Sequence, residues 1–224
     1  MCWIYIKSKT LRDPRLKIIL SKQNIGTYAA KNFVFKNFCK SKYVGLQDAD
    51  DVSLPTRIEK QIQHLQKYDK VACVGTSIKK FYETAAEENI VLYPETLTFE
   101  NLNYLLEEEN SFLQGLFKLR LCMNGSVVFK RDIVEKFGGW DGRTRIGADT
   151  DIFIRILSTY KINNLKEVLY KRKMHNKSLT GSKKYGFNSE IRKQYALGLK
   201  EVVEKSVNKE AIIRNFHYPK LDRN

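Results

Sequence analysis

Cysteine is scarce here: Cys2, Cys39, Cys73 and Cys122 are the only four in 224 residues, each more than thirty positions from the next. No Cys-x-x-Cys pair exists, which removes the usual framework of a zinc site. Scattered thiols in a chain of this size, with no secretion signal, also argue against a disulfide framework, so buried free thiols in a reducing compartment are expected. No apolar run approaches the roughly 18 residues that a membrane span needs. The first nine residues hold a short apolar patch but no h-region or cleavage site. A cytoplasmic protein without a transmembrane segment is the expectation. Internal repeats and low-complexity tracts are absent as well.

Acids are in short supply: 25 Asp and Glu face 40 Lys and Arg, a net charge of +15. The imbalance sits at the ends. Residues 1–47 carry ten bases and one acid, and residues 160–224 sixteen bases and six acids, whereas 48–159 carry more acids than bases. An acidic centre between basic ends suits a site where carboxylates and a cation meet an anionic substrate. Lysines on solvated faces, drawn from an AT-rich genome, would give the same totals. A basic nucleic-acid binder is the third reading, although no compact stripe of cations and aromatics supports it. Hydrophobic residues at 42% and aromatics at 12% require a folded core.

Leu16-Lys17-Ile18-Ile19-Leu20 reads as a buried strand. Thr27 caps a helix over 27–40, with Ala30, Phe33, Val34 and Phe38 at helical spacing. Residues 43–47 form the next strand, Ser53 and Pro55 start a helix striped by Ile58, Ile62 and Leu65, and 71–75 form a third strand. This alternation predicts an α/β fold with a mostly parallel sheet, flanking helices and right-handed crossovers. Further on, helices are expected over 98–109, 132–137 and 149–158, and strands over 123–129, 162–165 and 168–173. Residues 187–216 read as basic amphipathic helix. The division expected is a domain over 1–182 and a basic helical extension over 183–224.

Asp48, Asp50 and Asp51 stand at the carboxyl end of the second strand, where open α/β sheets bind ligands. Three carboxylates in four positions repel one another unless a cation or hydrogen bonds offset the charge. Mg²⁺ and Mn²⁺ take carboxylate oxygens and bridge to substrate phosphates. A turn that caps the next helix is the plainer alternative.

Asp48-Ala49-Asp50-Asp51, followed by Pro55, Arg57 and Gln61, resembles the Asp-x-Asp signature of family 2 glycosyltransferases of GT-A fold. Asn24-Ile25-Gly26 and Ala30-Lys31-Asn32 resemble the family's upstream stretch. Asn124-Gly125-Ser126 and Phe137-Gly138-Gly139-Trp140-Asp141 resemble its acceptor-side strand and loop, and Gly147-Ala148-Asp149-Thr150-Asp151 with Arg155 resemble its Glu-Asp helix start. Tyr170, His175, Ser178 and Thr180 match the segment that closes the site. The five motifs keep the family's order over residues 13–181. Two departures stand out. Ala148 replaces the Glu of the usual Glu-Asp pair, and most of the family's first strand-helix-strand unit has no counterpart, so a GT-A domain truncated at the amino end is expected.

The resemblance implies inverting transfer of a sugar, as by a hexosyltransferase, from a nucleotide-sugar (a UDP-sugar first) to an acceptor hydroxyl. It assigns Lys31, Asn32, Asp48 and Asp50 to the donor, and Asp50, Asp51 and His175 to Mn²⁺ or Mg²⁺. Asp149 takes the place of the general base, and Trp140 and Asp141 meet the acceptor, whether carbohydrate, protein or lipid. Each has a plainer alternative: Lys31 on a solvated helix face, Asp149 at a helix start favoured by the dipole, His175 incidental, Trp140 in the core. Asp151, four before Arg155, reads as a structural helical pair. Self-association over the open sheet edge left by the missing unit is expected, and a non-catalytic GT-A remnant acting as a binding or scaffold module is the alternative function.

Overall fold

The computed structural model describes residues 15–82, 88–107, 112–175, 182–186 and 189–208. Ser178 and Thr180 lie outside the described residues.

Helix α1 (Thr27–Phe38) leads into strand β1 (Tyr43–Gly45), the acidic turn, a two-residue strand β2 (Val52–Ser53) and helix α2 (Arg57–Lys67). Strand β3 (Val71–Tyr82) follows, buried over its first eight residues and therefore apolar there rather than alternating. Then come β4 (Glu88–Val91), β5 (Thr96–Leu97), helices α3 (Glu100–Glu107) and α4 (Phe112–Leu119), and a 3₁₀ turn at Asn124–Ser126. The chain continues through β6 (Val128–Lys130), α5 (Arg131–Lys136), α6 (Ala148–Leu157), β7 (Lys161–Met174) and α7 (Glu190–Val207).

The sheet order is β1-β6-β3-β7-β2, with β4 on β3 and β5 on β7. The long pair β3–β7 is parallel, and β1 runs the same way because β6 is antiparallel to both β1 and β3. These three strands carry most of the sheet, as the α/β expectation requires. The short strands β2, β4, β5 and β6 run against them. The expected pair 162–165 and 168–173 is one strand, bent by register shifts against β3.

Several expectations about elements fail: Gly26 precedes the first turn of α1 and no side chain caps it, Ile58 of the expected α2 stripe is 41% exposed, and Asn124–Ser126 is a 3₁₀ turn within the expected strand 123–129. Residues 16–20 form no strand, and Leu16, Ile18 and Leu20 are exposed on alternate positions. A strand exists only beside a neighbour that takes its backbone hydrogen bonds, and among the described residues none flanks this run.

Helix α6 is buried over most of its length, so beyond Asp149 and Thr150 at its start it is apolar apart from Asp151 and Arg155. Those two form an ion pair at 2.7 Å with both side chains fully buried. Arg155 also donates from Nη1 to the carbonyl of Phe137 and from Nη2 to that of Gly139. The pair ties the Gly-Gly turn to α6, which confirms the structural reading of Asp151. Helix α7, within the expected extension, contributes Leu199, Val202 and Val203 to the main core cluster.

Candidate active site

The acidic turn is held from behind. Arg57, 2% exposed in the first turn of α2, donates from Nη1 to the Ser126 carbonyl (2.7 Å) and from Nη2 to that of Leu46 (3.1 Å). Gln61, one turn later, donates to the carbonyls of Val74 and Ser126, both at 2.7 Å. Buried polar groups must find partners, so these two side chains set the height of the strand end on which Asp48 sits.

Tyr170 on β7 orients the turn from the other side. Its hydroxyl donates to Asp51 Oδ2 at 2.8 Å and accepts from the Asp48 amide at 3.3 Å. Burial and the bond to Asp51 push the phenol far above its ordinary pKa, so it stays a donor. The Lys173 amide donates to Asp51 Oδ1 at 2.8 Å. Both oxygens of Asp51 are thus engaged by protein groups, and burial raises its pKa. Asp50 instead meets His175, with Nε2 and Oδ2 3.0 Å apart and both side chains more than a third exposed.

Gly125 makes the close packing possible. A Cβ there would lie 2.7 Å from Asp48 Oδ2 and also run into the Tyr170 hydroxyl. Gly125→Ala is therefore expected to displace Asp48 or Tyr170 and to cost about 1–3 kcal/mol of stability, the usual scale of overpacking. Urea denaturation checks it. A loss below a few tenths would mean that the contact yields freely.

Opposite the acidic turn, α1 presents Tyr28 and Lys31, three apart and so on one face. The Tyr28 hydroxyl donates to Asp149 Oδ1 at 3.0 Å. Burial and the Asp149 charge push that phenol far above its usual range, which keeps its proton in place. Burial pushes the Lys31 amine below its ordinary value, against the pull of Asp48 and Asp149. Lys31 thus sits electrostatically between the two halves of the site. Asp149 stands in the first turn of α6, after Gly147 at φ 77°. The ring of Tyr195 from α7 occupies the space that a side chain at 147 would need. Arg192, also from α7, lies near enough to feel Asp149 and Tyr28.

These groups line one cavity of about 590 Å³: Lys31, Asp48, Asp50, Asp51, His175 and Asp149, with Tyr28, Arg192 and Tyr195. The structure keeps three expected site residues out of it. Asn32 is buried and spends its amide on the backbone of Trp140, donating to the carbonyl and accepting from the amide. Trp140 is 1% exposed, packed edge-on against Phe35 and Phe129, so no sugar can stack on it. Asp141 holds Arg143 through two side-chain bonds and lines a separate hollow beside Asp151 and α7. Tyr28, Arg192 and Tyr195 are the residues that sequence reasoning passed over. Only Tyr28 carried a signal, its spacing from Lys31.

Among the described residues no three His, Cys, Asp or Glu side chains form a metal-binding group. Asp50 Oδ2 and His175 Nε2 stand 3.0 Å apart in the cavity, one carboxylate and one imidazole donor that a divalent cation would have to share with water.

The model of glycosyl transferase family 2 matches residues 4–138. The O-antigen biosynthesis glycosyltransferase WbnJ of Escherichia coli is 30% identical over 176 residues, covering 77% of this chain and 63% of that protein. The uncharacterized glycosyltransferase MJ1057 of Methanocaldococcus jannaschii is 25% identical over 217 residues, 96% of this chain and 68% of that protein. The chain thus spans about two thirds of the length of these relatives. Among solved structures, S. aureus TarS 1–349 in complex with UDP superposes with a TM-score of 0.50 at 9% identity, over 84% of this chain and 54% of that one. That last likeness is one of fold.

Proposed function

This chain belongs to glycosyl transferase family 2, and from that premise we propose that its cavity transfers a sugar, with inversion, from a UDP-sugar to an acceptor hydroxyl. The observation that carries the reading is the placing of Asp149 across one cavity from Asp48 and the Asp50–His175 pair, with Lys31 between them. A UDP complex in the TarS fold supports the choice of nucleotide.

In this reading Lys31 and Asp48 bind the donor, Lys31 as a point charge on the diphosphate. Asp50 and His175 are the residues that would hold Mn²⁺ or Mg²⁺, and such an ion would supply positive charge beside the diphosphate. Asp51 is left out of that set, because its two oxygens already hold Tyr170 and Lys173. Asp149 takes the acceptor proton on Oδ2, since Tyr28 occupies Oδ1 and fixes the carboxylate plane. Burial of Tyr28 and Lys31 keeps that half of the site poor in water, where a fixed charge acts more strongly than in solvent.

The test is UDP release from a panel of UDP-sugars with Mn²⁺ and a mixed acceptor pool. Turnover with one donor, lost on chelation, is expected; no turnover with any donor, together with no UDP binding, would overturn the reading. Asp50→Asn is expected to remove the Mn²⁺ dependence of UDP affinity while leaving the fold no less stable, because one repelling charge is gone. Equal Mn²⁺-dependent affinity in both proteins would remove Asp50 from the cation set.

A further inference from the structure

Arg172 lines the cavity, Lys80 feels the charges of both Arg172 and Arg120, and the reading above gives the three no task. Lys80 and Arg172 are register partners on the parallel pair β3–β7. Partners in a ladder project from the same face, and here it is the site's face. Two positions before Arg172, Tyr170 reaches Asp51, and Arg172 itself lines the cavity. Arg120 directly precedes the wall residues Leu121 and Cys122. Its φ of +46° makes it the one non-glycine residue in the left-handed region among the described residues. Strain of that kind persists where surrounding structure enforces it, and it concentrates at functional sites.

Nearby lysines have acidic partners: Lys79 pairs with Glu88, Lys60 with Glu167 and Lys166 with Glu95. Among the described residues no carboxylate pairs with Lys80, Arg120 or Arg172. Like charges facing each other across a ladder are unfavourable. Burial, then the charges of Arg172 and Arg120, hold the Lys80 amine below its ordinary value. Tyr93 stands beside the two arginines. Burial and Cys122 push its hydroxyl up to about 12 against their pull, so it remains a neutral donor. Lys31 belongs to a different charge group, facing Asp48 and Asp149.

We propose that Lys80, Arg120 and Arg172 form an anion site for a phosphate group carried by the acceptor. Three neighbouring cations match a dianion better than a single carboxylate, and arginine's planar fork suits phosphate oxygens. The acceptor assignment rests on the glycosyl-transfer reading; the anion site does not.

The probe is sn-glycerol 3-phosphate, with glycerol as the neutral control. It is titrated calorimetrically into wild type and the K80Q/R120Q/R172Q variant, with and without saturating UDP. Wild type is expected to bind the phosphate but not glycerol, with or without UDP, and the variant at least about tenfold more weakly, as loss of charge-assisted bonds implies. The affinity should fall with added salt. UDP affinity should agree within about twofold between the two proteins, and the variant's thermal midpoint should not drop, since repulsion has been relieved. Equal phosphate binding by both proteins would overturn the proposal. So would mutual exclusion of UDP and glycerol 3-phosphate, which would give the cations to the donor's diphosphate. Wild type that binds phosphate through these three residues but binds no UDP would overturn the glycosyl-transfer reading and leave the anion site standing.

Discussion

Asp149→Asn is expected to cut sugar transfer by a factor of roughly 10² or more, the scale of losing a general base, while UDP affinity stays at the wild-type value. The substitution is nearly isosteric. The asparagine Oδ1 can still accept from Tyr28 at the 3.0 Å seen for the carboxylate, so the first turn of α6 has no reason to move. What is lost is a basic oxygen at Oδ2. Tyr28→Phe tests the orienting bond separately and is expected to cost about tenfold, the worth of one hydrogen bond of about 1.4 kcal/mol. Initial rates at saturating donor, read with UDP titrations on the same samples, check both. A near-wild-type rate in Asp149→Asn would place the base elsewhere.

Asp151→Asn is expected to destabilise the fold by about 3–5 kcal/mol, because it leaves the Arg155 guanidinium charged in a fully buried site. Arg155 keeps the carbonyls of Phe137 and Gly139 as acceptors but loses the carboxylate that balances it. Replacing both residues, as Asp151→Leu with Arg155→Met, should recover part of the loss, since a buried ion pair often exchanges evenly for apolar packing. Recovery stays incomplete, because those two carbonyls then lack a donor, at about 1–3 kcal/mol each. Urea unfolding of the three proteins measures this. A single mutant within 1 kcal/mol of wild type would mean that the guanidinium reaches water after all.

The acidic turn was legible because its signal is local: three carboxylates in four residues at the end of an apolar run. The start of α6 was legible for the same reason, with acids in the first turn and an apolar run behind them. Sheet membership is not local. Residues 16–20 have a strand's composition, yet what makes a strand is the backbone next to it. Conversely, the three residues of β6 slip between β1 and β3, a placement no periodicity announces.

Side-chain direction on α1 was the second limit. Successive helical residues point about 100° apart, so once Lys31 faces the cavity, Asn32 turns inward, where it clamps Trp140. The motif named both residues without saying which of them faces the substrate. Trp140 follows two glycines, a context equally suited to an exposed platform or a core plug. Only its packing between Phe35 and Phe129 decides for the plug. The reach of α7 into the site was not legible at all. Its basic amphipathic pattern predicts a helix with a buried stripe, and nothing in that pattern says that Arg192 and Tyr195 come to rest against Asp149 and Gly147.

Calorimetric titration of the wild-type chain with UDP, in Mn²⁺ and again in chelator, tests the central claim most directly. Binding at one site that weakens at least about tenfold when the cation is removed, a loss of roughly 1.4 kcal/mol, is the expected result. Lys31→Ala should weaken it further, and Asp149→Asn should leave it unchanged. Absence of UDP binding in both conditions, or binding indifferent to Lys31, would contradict the assignment of this cavity to a nucleotide-sugar.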